Sequence, residues 1–245
     1  MKMAQSHSAT VFNELLQQPF GSYLAENHIA AKWFHYATEQ CLENAYGPII
    51  AGGSRACTLH YQKNNKPLFA LKDRAVLMDA GYEYQYYASD ITRMIPLSHP
   101  PSWWQEIYQI VLDTQKKVIG HLLPGVSLSQ LQELTQELFL DALQSGGFLP
   151  KLADKKQLRC CYMHSVGHHL GLDVHDCSSL SKDIPLVEGM CITVEPGLYF
   201  NHEMFADKPW FELGIRLEDN LIVSPKEAIN ITFVAKELSE ILKNV

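Results

Sequence analysis

The sequence predicts an α+β fold, and three features point to it. Apolar residues recur at helical spacing in the first 45 residues and again in two stretches between residues 102 and 145. Between and after these lie apolar runs of strand length, several ending in a carboxylate. Helices and strands do not alternate in the strict βαβ order of a doubly wound parallel sheet. No linker divides the chain, so one domain over residues 1–245 is expected, with residues 1–45 helical.

Residues 10–45 read as helical: Phe12, Leu15 and Leu16, then Leu24, Ile29, Trp33, Phe34 and Ala37 keep the period, with a break at Pro19-Phe20-Gly21. Pro48 to Gly53 is a short apolar strand. Ala56 to Tyr61 is the next extended piece, followed by a polar turn at Lys63–Lys66. Ala75 to Asp79 suits a buried strand. Tyr84 to Thr92 reads as its hairpin partner, with Tyr86, Ala88, Asp90 and Thr92 on one face. After Pro100-Pro101, Ser102 offers an N-cap for a helix that buries Trp104, Ile107, Tyr108, Val111 and Leu112. Ser127 to Ser129 opens another helix. Gln130 and Gln132 each stand at capping-box spacing from a serine, Leu131, Leu134, Leu138 and Leu140 run along the helix, and Gly146-Gly147 stops it. Lys151 to Lys156 is a basic loop. Met190 to Glu195 is a second apolar run ending in an acid, and Leu213 to Val223 is a strand and hairpin.

Composition narrows the function. A formal net charge of −7 argues against nucleic acid or an anionic membrane as partner. No apolar run approaches the ~18 residues of a membrane span. Met1 to Ser8 lacks the apolar core of a signal peptide, so the cytoplasm is the expected compartment. The six cysteines show no C-x-x-C spacing and are expected to be reduced and structural.

The chemistry concentrates in His164-Ser-Val-Gly-His168-His-Leu-Gly-Leu-Asp-Val-His175-Asp176, with four histidines and two aspartates in thirteen residues. Asp79, Glu195 and Glu218 end or interrupt apolar strands, where a carboxylate is costly unless paired or metal-bound. One such acid reads as a salt-bridge partner. Three of them, with Asp90 facing inward beside them, would repel one another unless cations intervened. Two divalent cations balance four carboxylates, and oxygen donors with one or two imidazoles favour Mn²⁺, Co²⁺ or Zn²⁺. Bridging requires carboxylates, and Asp90 and Glu218 are the candidates. Arg216 shares a strand face with Glu218, so it should also point at the site, to orient a carboxylate ligand or to bind an anionic part of the substrate.

Six segments carry a family resemblance. They are Cys57-Thr-Leu-His60-Tyr61, Met78-Asp79-Ala-Gly81, Ala88-Ser-Asp90-Ile-Thr-Arg93, Met163 to Asp176, Gly189-Met-Cys-Ile-Thr-Val-Glu195-Pro-Gly-Leu-Tyr199 and Gly214-Ile-Arg216-Leu-Glu218-Asp219. Together they resemble the M24 metallopeptidases, most of all aminopeptidase P and prolidase. The resemblance implies the pita-bread (creatinase/aminopeptidase) fold, a curved antiparallel sheet flanked by helices. It implies that Asp79 chelates one cation, that Asp90 and Glu218 bridge two, and that His168 and Glu195 complete the second. Mn²⁺ is the expected metal. Glu195 would move the proton, His60 and His175 would bind substrate and stabilise the tetrahedral intermediate, and His164 and Arg216 would line the pocket.

The activity implied is that of an Xaa-Pro aminopeptidase, in which a metal-bridged hydroxide attacks the carbonyl before proline. The alternatives are prolidase, methionine aminopeptidase and a non-catalytic binding module. The expected partner is a peptide with proline at position two, with a homo-oligomer allowed and neither nucleic acid nor membrane expected. Two departures stand out. The family's usual large N-terminal domain is not seen before the first motif, and Arg55 stands where relatives usually carry Asn. His169 reads as a packing or surface residue. Tyr84, Tyr86 and Tyr87 read as pocket lining or core packing.

Overall fold

The computed structural model describes residues 1–69 and 75–243. Helix α1 (Lys2–Leu16) begins earlier than the apolar spacing predicts. Its first turns bury small and polar side chains: Ala4, Gln5 and Ser8. Gln5 Nε2 donates to Thr232 Oγ1 at 2.6 Å, and Ser8 Oγ accepts from the Tyr82 amide at 2.9 Å. A stripe satisfied by hydrogen bonds leaves no apolar period to read. Helix α2 (Glu26–Gln40) buries Ile29, Trp33 and Ala37. Leu24 precedes the helix and Phe34 falls beside the buried stripe, so both are exposed.

The strands are β1 (Glu43–Asn44), β2 (Ile49–Gly52), β3 (Ala75–Ala80), β4 (Tyr82–Tyr84), β5 (Tyr87–Ala88), β6 (Ile91–Pro96), β7 (Cys191–Val194), β8 (Gly197–Tyr199), β9 (Gly214–Arg216), β10 (Asp219–Ile222) and β11 (Ile229–Asn230). All their pairings are antiparallel. Two expected strands are corrected. Ala56–Tyr61 is not extended: Gly53–Cys57 forms a 3-10 turn. The cause lies far off in sequence, where the fully buried Glu26 carboxylate gathers the Gly52 amide, Arg55 Nε and the Tyr61 hydroxyl. Tyr84–Thr92 is not one strand either. The chain reverses at Gln85 and Tyr86, both at positive φ, and Tyr86 is 78% exposed, so it does not share a face with Asp90 and Thr92. Gly81 falls opposite Asp90 where the two strands run closest, and a Cβ there would lie 1.7 Å from the Ser89 carbonyl oxygen. The partner of β3 is therefore β6, with Asp79 opposite Thr92.

Helix α3 (Ser102–Gly120) buries its expected face, but Ser102 is its first helical residue and Pro101 takes the cap position. Helix α4 (Leu128–Ser145) is closed by a Ser127–Gln130 capping box. The expected basic loop contains α5 (Lys155–Leu158), which is capped by Asp154. Helix α6 (Leu238–Ile241) lies near the end of the chain. Phe12, Trp33, Tyr82 and Tyr108 lie in one apolar core with β2, β3 and β6. A second cluster, with Val118, Leu131, Val166 and Ile192, packs α3 and α4 on β7 and β10.

Strand register explains why distant acids meet. Asp79 on β3 faces Thr92 on β6, and the Thr92 carbonyl accepts from the Glu218 amide at 3.1 Å. Asp219 pairs with Val194, and Arg216 pairs with Gly197. The same register continues through the gap between these pairs, which sets Glu195 opposite Glu218. Pro196 has no N–H, so the ladder lapses there. The fully buried Gln115 fills the gap, donating to the carbonyls of Val194 and Leu217 at 3.1 Å each. On the far side of β7, Val166 to Leu170 runs antiparallel alongside it. Its bonds are Glu195 N to Val166 O (2.8 Å), Thr193 N to His168 O (2.9 Å) and Leu170 N to Cys191 O (3.0 Å). Asp79, Thr92, Glu218, Glu195 and the histidine segment thus stand side by side across successive strands.

A buried ion network holds the middle of that row. Arg93, 1% exposed, meets Asp219 at 2.6 Å and donates to the Glu218 and Thr92 carbonyls. Lys236 joins Asp219 and Gln115. Burial alone would raise the Asp219 carboxyl, but Arg93 and Lys236 outweigh it and hold it below its ordinary value. Removing one partner of such a pair costs about 3–5 kcal/mol, because the remaining charge stays buried and unpaired.

Candidate metal centre

All nine sequence-predicted site residues line one cavity of ≈ 560 Å³: His60, Asp79, Asp90, His164, His168, His175, Glu195, Arg216 and Glu218. Donor atoms of Asp90, His168 and Glu218 lie within 4.8 Å of one another. His168 Nε2 is 3.4 Å from Asp90 and 3.5 Å from Glu195. Its other nitrogen, Nδ1, is 3.0 Å from the His169 carbonyl. A carbonyl only accepts, so Nδ1 carries the hydrogen, and Nε2 is the atom offered to the acids and to any cation among them.

The carboxyls crowd one another. Burial, with Asp90 adding, pushes Asp79 up to about 6 against the pull of Arg216. Burial, with Asp90 and Asp79 adding, pushes Glu195 up to about 7, although His168 and Arg216 oppose. Glu218 is raised well above its ordinary value by burial and by all three acids. Burial alone would lower His168, yet Asp90 and Glu195 lift it to about 9. Fully ionised, Asp79, Asp90, Glu195 and Glu218 would outnumber Arg216 and a charged His168, and the raised carboxyls reflect that crowding.

These residues fit a divalent metal. Glu218 Oε2 accepts from Thr92 Oγ1 at 2.8 Å, while its Oε1 is buried without a hydrogen-bond partner among the described residues. A buried carboxylate oxygen of this kind is costly unless a cation or donor meets it. Oxygen-rich donors with one imidazole suit a hard or borderline ion.

The surrounding groups orient the site. Arg216 directs Nη2 to Asp79, Nη1 to Tyr199 at 2.8 Å and Nε to Thr92 at 3.2 Å. Of the two roles expected for it, the contacts are those of a carboxylate orienter. His164 Nδ1 is 2.8 Å from the Ser165 carbonyl, so it donates there, and Nε2 accepts from Tyr199 at 2.9 Å. Burial first, then Arg216 and His60, lower His164 to about 4, so the ring is neutral at pH 7. His175 packs edge-on against His168, with centroids 4.5 Å apart, and burial and that neighbour lower its pKa.

Several participants escape a sequence reading. The Tyr46 hydroxyl reaches both Asp79, at 2.5 Å, and Asp90. It is a lone tyrosine outside any periodic run. Asn220 clasps the Asp90 backbone, accepting from its amide at 3.0 Å and donating to its carbonyl at 2.5 Å. Its place next to Glu218-Asp219 is the only hint the sequence offers. Tyr84, Tyr86 and Tyr87 do not line the cavity, because the hairpin turn points them elsewhere. Arg55 is paired with Glu26, also away from the cavity.

Comparison with known proteins follows the same lines. A family model described as metallopeptidase family M24 matches residues 1–225. The Xaa-Pro aminopeptidase of Haemophilus influenzae is 38% identical over 225 residues, covering 88% of this chain and 52% of that protein. Intermediate cleaving peptidase 55 of Schizosaccharomyces pombe is 34% identical over 247 residues, covering 98% of this chain and 49% of that protein. The structure of Pseudomonas aeruginosa aminopeptidase PepP superposes with a TM-score of 0.90 at 31% identity, covering 100% of this chain and 57% of that one. The chain spans about half the length of the curated relatives it matches.

Proposed function

Because the chain belongs to metallopeptidase family M24 and has its α+β pita-bread fold, we propose that it is a dinuclear metallo-aminopeptidase cleaving between an N-terminal residue and proline. One observation carries this reading: five groups spread from Asp79 to Glu218 line a single cavity, and one of their buried oxygens has no partner among the described residues. Asp79 would hold one cation, Asp90 and Glu218 both, and His168 and Glu195 the other. Mn²⁺ is the first choice, with Co²⁺ or Zn²⁺ as alternatives. Divalent cations held there would supply Lewis-acid polarisation of the scissile carbonyl and activation of water near neutral pH.

The protein's own groups do the rest. Glu195, whose carboxyl burial carries toward neutrality, takes the proton of the attacking water and returns it to the proline nitrogen. His175, kept neutral, donates to the carbonyl oxygen as it gains charge, with His60 beside it on the cavity wall. His164 has both ring nitrogens engaged, so it offers the substrate a ring face rather than a hydrogen bond. Such a face suits proline. A bond to proline also has no N–H to recognise, so selection must be by shape. The work is expected to take place in the cytoplasm, on peptides. Among the described residues no helix is long and apolar enough to cross a membrane.

The test is a three-substrate assay with Mn²⁺. An Xaa-Pro-Yaa tripeptide should be cleaved faster than an Xaa-Pro dipeptide or a Met-Gly-Yaa peptide. Cleavage of the dipeptide alone would make the protein a prolidase, and preference for Met-Gly-Yaa a methionine aminopeptidase. A protein that binds no metal and cleaves nothing would be a binding module.

A further inference from the structure

A second cavity, of ≈ 780 Å³, adjoins the first and shares His164, Ser165, Gly167 and Lys182 with it. Among the described residues its wall carries three cationic side chains, Lys155, Arg159 and Lys182, against one acidic side chain, Glu133. Lys182 stands where the two cavities meet. Its ammonium donates to Ser165 Oγ, and its carbonyl accepts from the Ser129 amide at 3.0 Å, which pins this exposed loop to the start of α4.

The shape of the reaction tells which part of a peptide could lie there. An enzyme that removes a single N-terminal residue has one residue upstream of the scissile bond. Any groove continuing beyond the reaction centre must then take the downstream chain. An extended peptide advances about 3.3–3.6 Å per residue, so the residues after proline pass Lys182 and enter the second cavity. From this we infer that the second cavity is a downstream subsite that selects peptides bearing carboxylates there, either an acidic side chain or the peptide's own C-terminus. The inference rests on the aminopeptidase reading. The three cations are partly solvated, so each contributes modestly, and together they should give about a tenfold preference at low salt.

Product-side peptides, which begin with proline and need no turnover to bind, test this by calorimetry on the Mn²⁺-loaded protein. Pro-Gly-Asp-Asp amide should bind about tenfold tighter than Pro-Gly-Lys-Lys amide. R159E and K182E should bring the ratio to about one or invert it. Pro-Gly-Gly-Gly as free acid and as amide separates a terminal carboxylate from an acidic side chain as the preferred source. Equal affinities in the unaltered protein, a ratio unmoved by the two variants, or no measurable binding of either tail would overturn the subsite. Normal Xaa-Pro turnover with equal affinities would sink this inference alone. An intact ratio without Xaa-Pro turnover would uphold the subsite and count against the proposed activity.

Discussion

Glu218→Gln is expected to lower kcat/KM on an Xaa-Pro-Yaa peptide by about 10³-fold or more and to abolish the rise in Tm that Mn²⁺ produces. Glu218 is 1% exposed, and it is one of the three residues whose donor atoms cluster in the site. An amide keeps the shape and the Thr92 contact but cannot serve as an anionic ligand. The same change should not harm the fold. In chelated protein at pH 8 the variant should melt at or above the unaltered protein, because an amide replaces a carboxyl pressed by Asp90, Glu195 and Asp79. Retained activity within tenfold, together with a full Mn²⁺ shift, would remove Glu218 from the centre.

Chelated protein should lose stability as pH rises from 6.5 to about 9. The ordinary histidine value is 6.5, and His168 lies at about 9 in the folded state. Over that window the fold keeps a proton that the unfolded chain has released, so the stability is present at the lower end and gone above the upper. Glu195, raised to about 7, and Glu218, raised well above its ordinary value, act with the same sign, since each weakens the fold as it ionises. His164 and His175 act oppositely, but their lowered values place their effect below 6.5. His168 alone is worth about 2–3 kcal/mol, or roughly 5–10 °C in Tm for a chain of this size. Saturating Mn²⁺ should reverse the trend, because coordination needs deprotonated ligands. At about 1,000 times its Kd it should add about 4 kcal/mol. Melting curves at pH 6.5, 7.5 and 9, with chelator and with Mn²⁺, read both effects. A chelated Tm that climbs across this range would contradict them.

The site was more legible in the sequence than the chain path that builds it. Asp79, Glu195 and Glu218 announce themselves because an acid ending or interrupting an apolar strand has few cheap explanations. The period-2 rule placed Arg216 beside Glu218 correctly, since β9 and the start of β10 keep one register. What failed was local shape governed by distant partners. Ala56–Tyr61 alternates like a strand, yet it turns around Glu26, some thirty residues earlier. Tyr84–Thr92 has strand composition, but a reversal at Gln85 and Tyr86, positive-φ residues that are not glycine, breaks it. Tyr46, Gln115 and Asn220 work through single hydrogen bonds to other elements, and a lone polar residue leaves no periodic trace.

The central claim is that Asp79, Asp90, His168, Glu195 and Glu218 share two cations. Anomalous difference density from crystals grown with Mn²⁺ tests it most directly. Two peaks, each within bonding distance of the assigned side chains and both touching Asp90 and Glu218, are the predicted result. No peak in this cavity at saturating Mn²⁺, or peaks held by other residues, would contradict it.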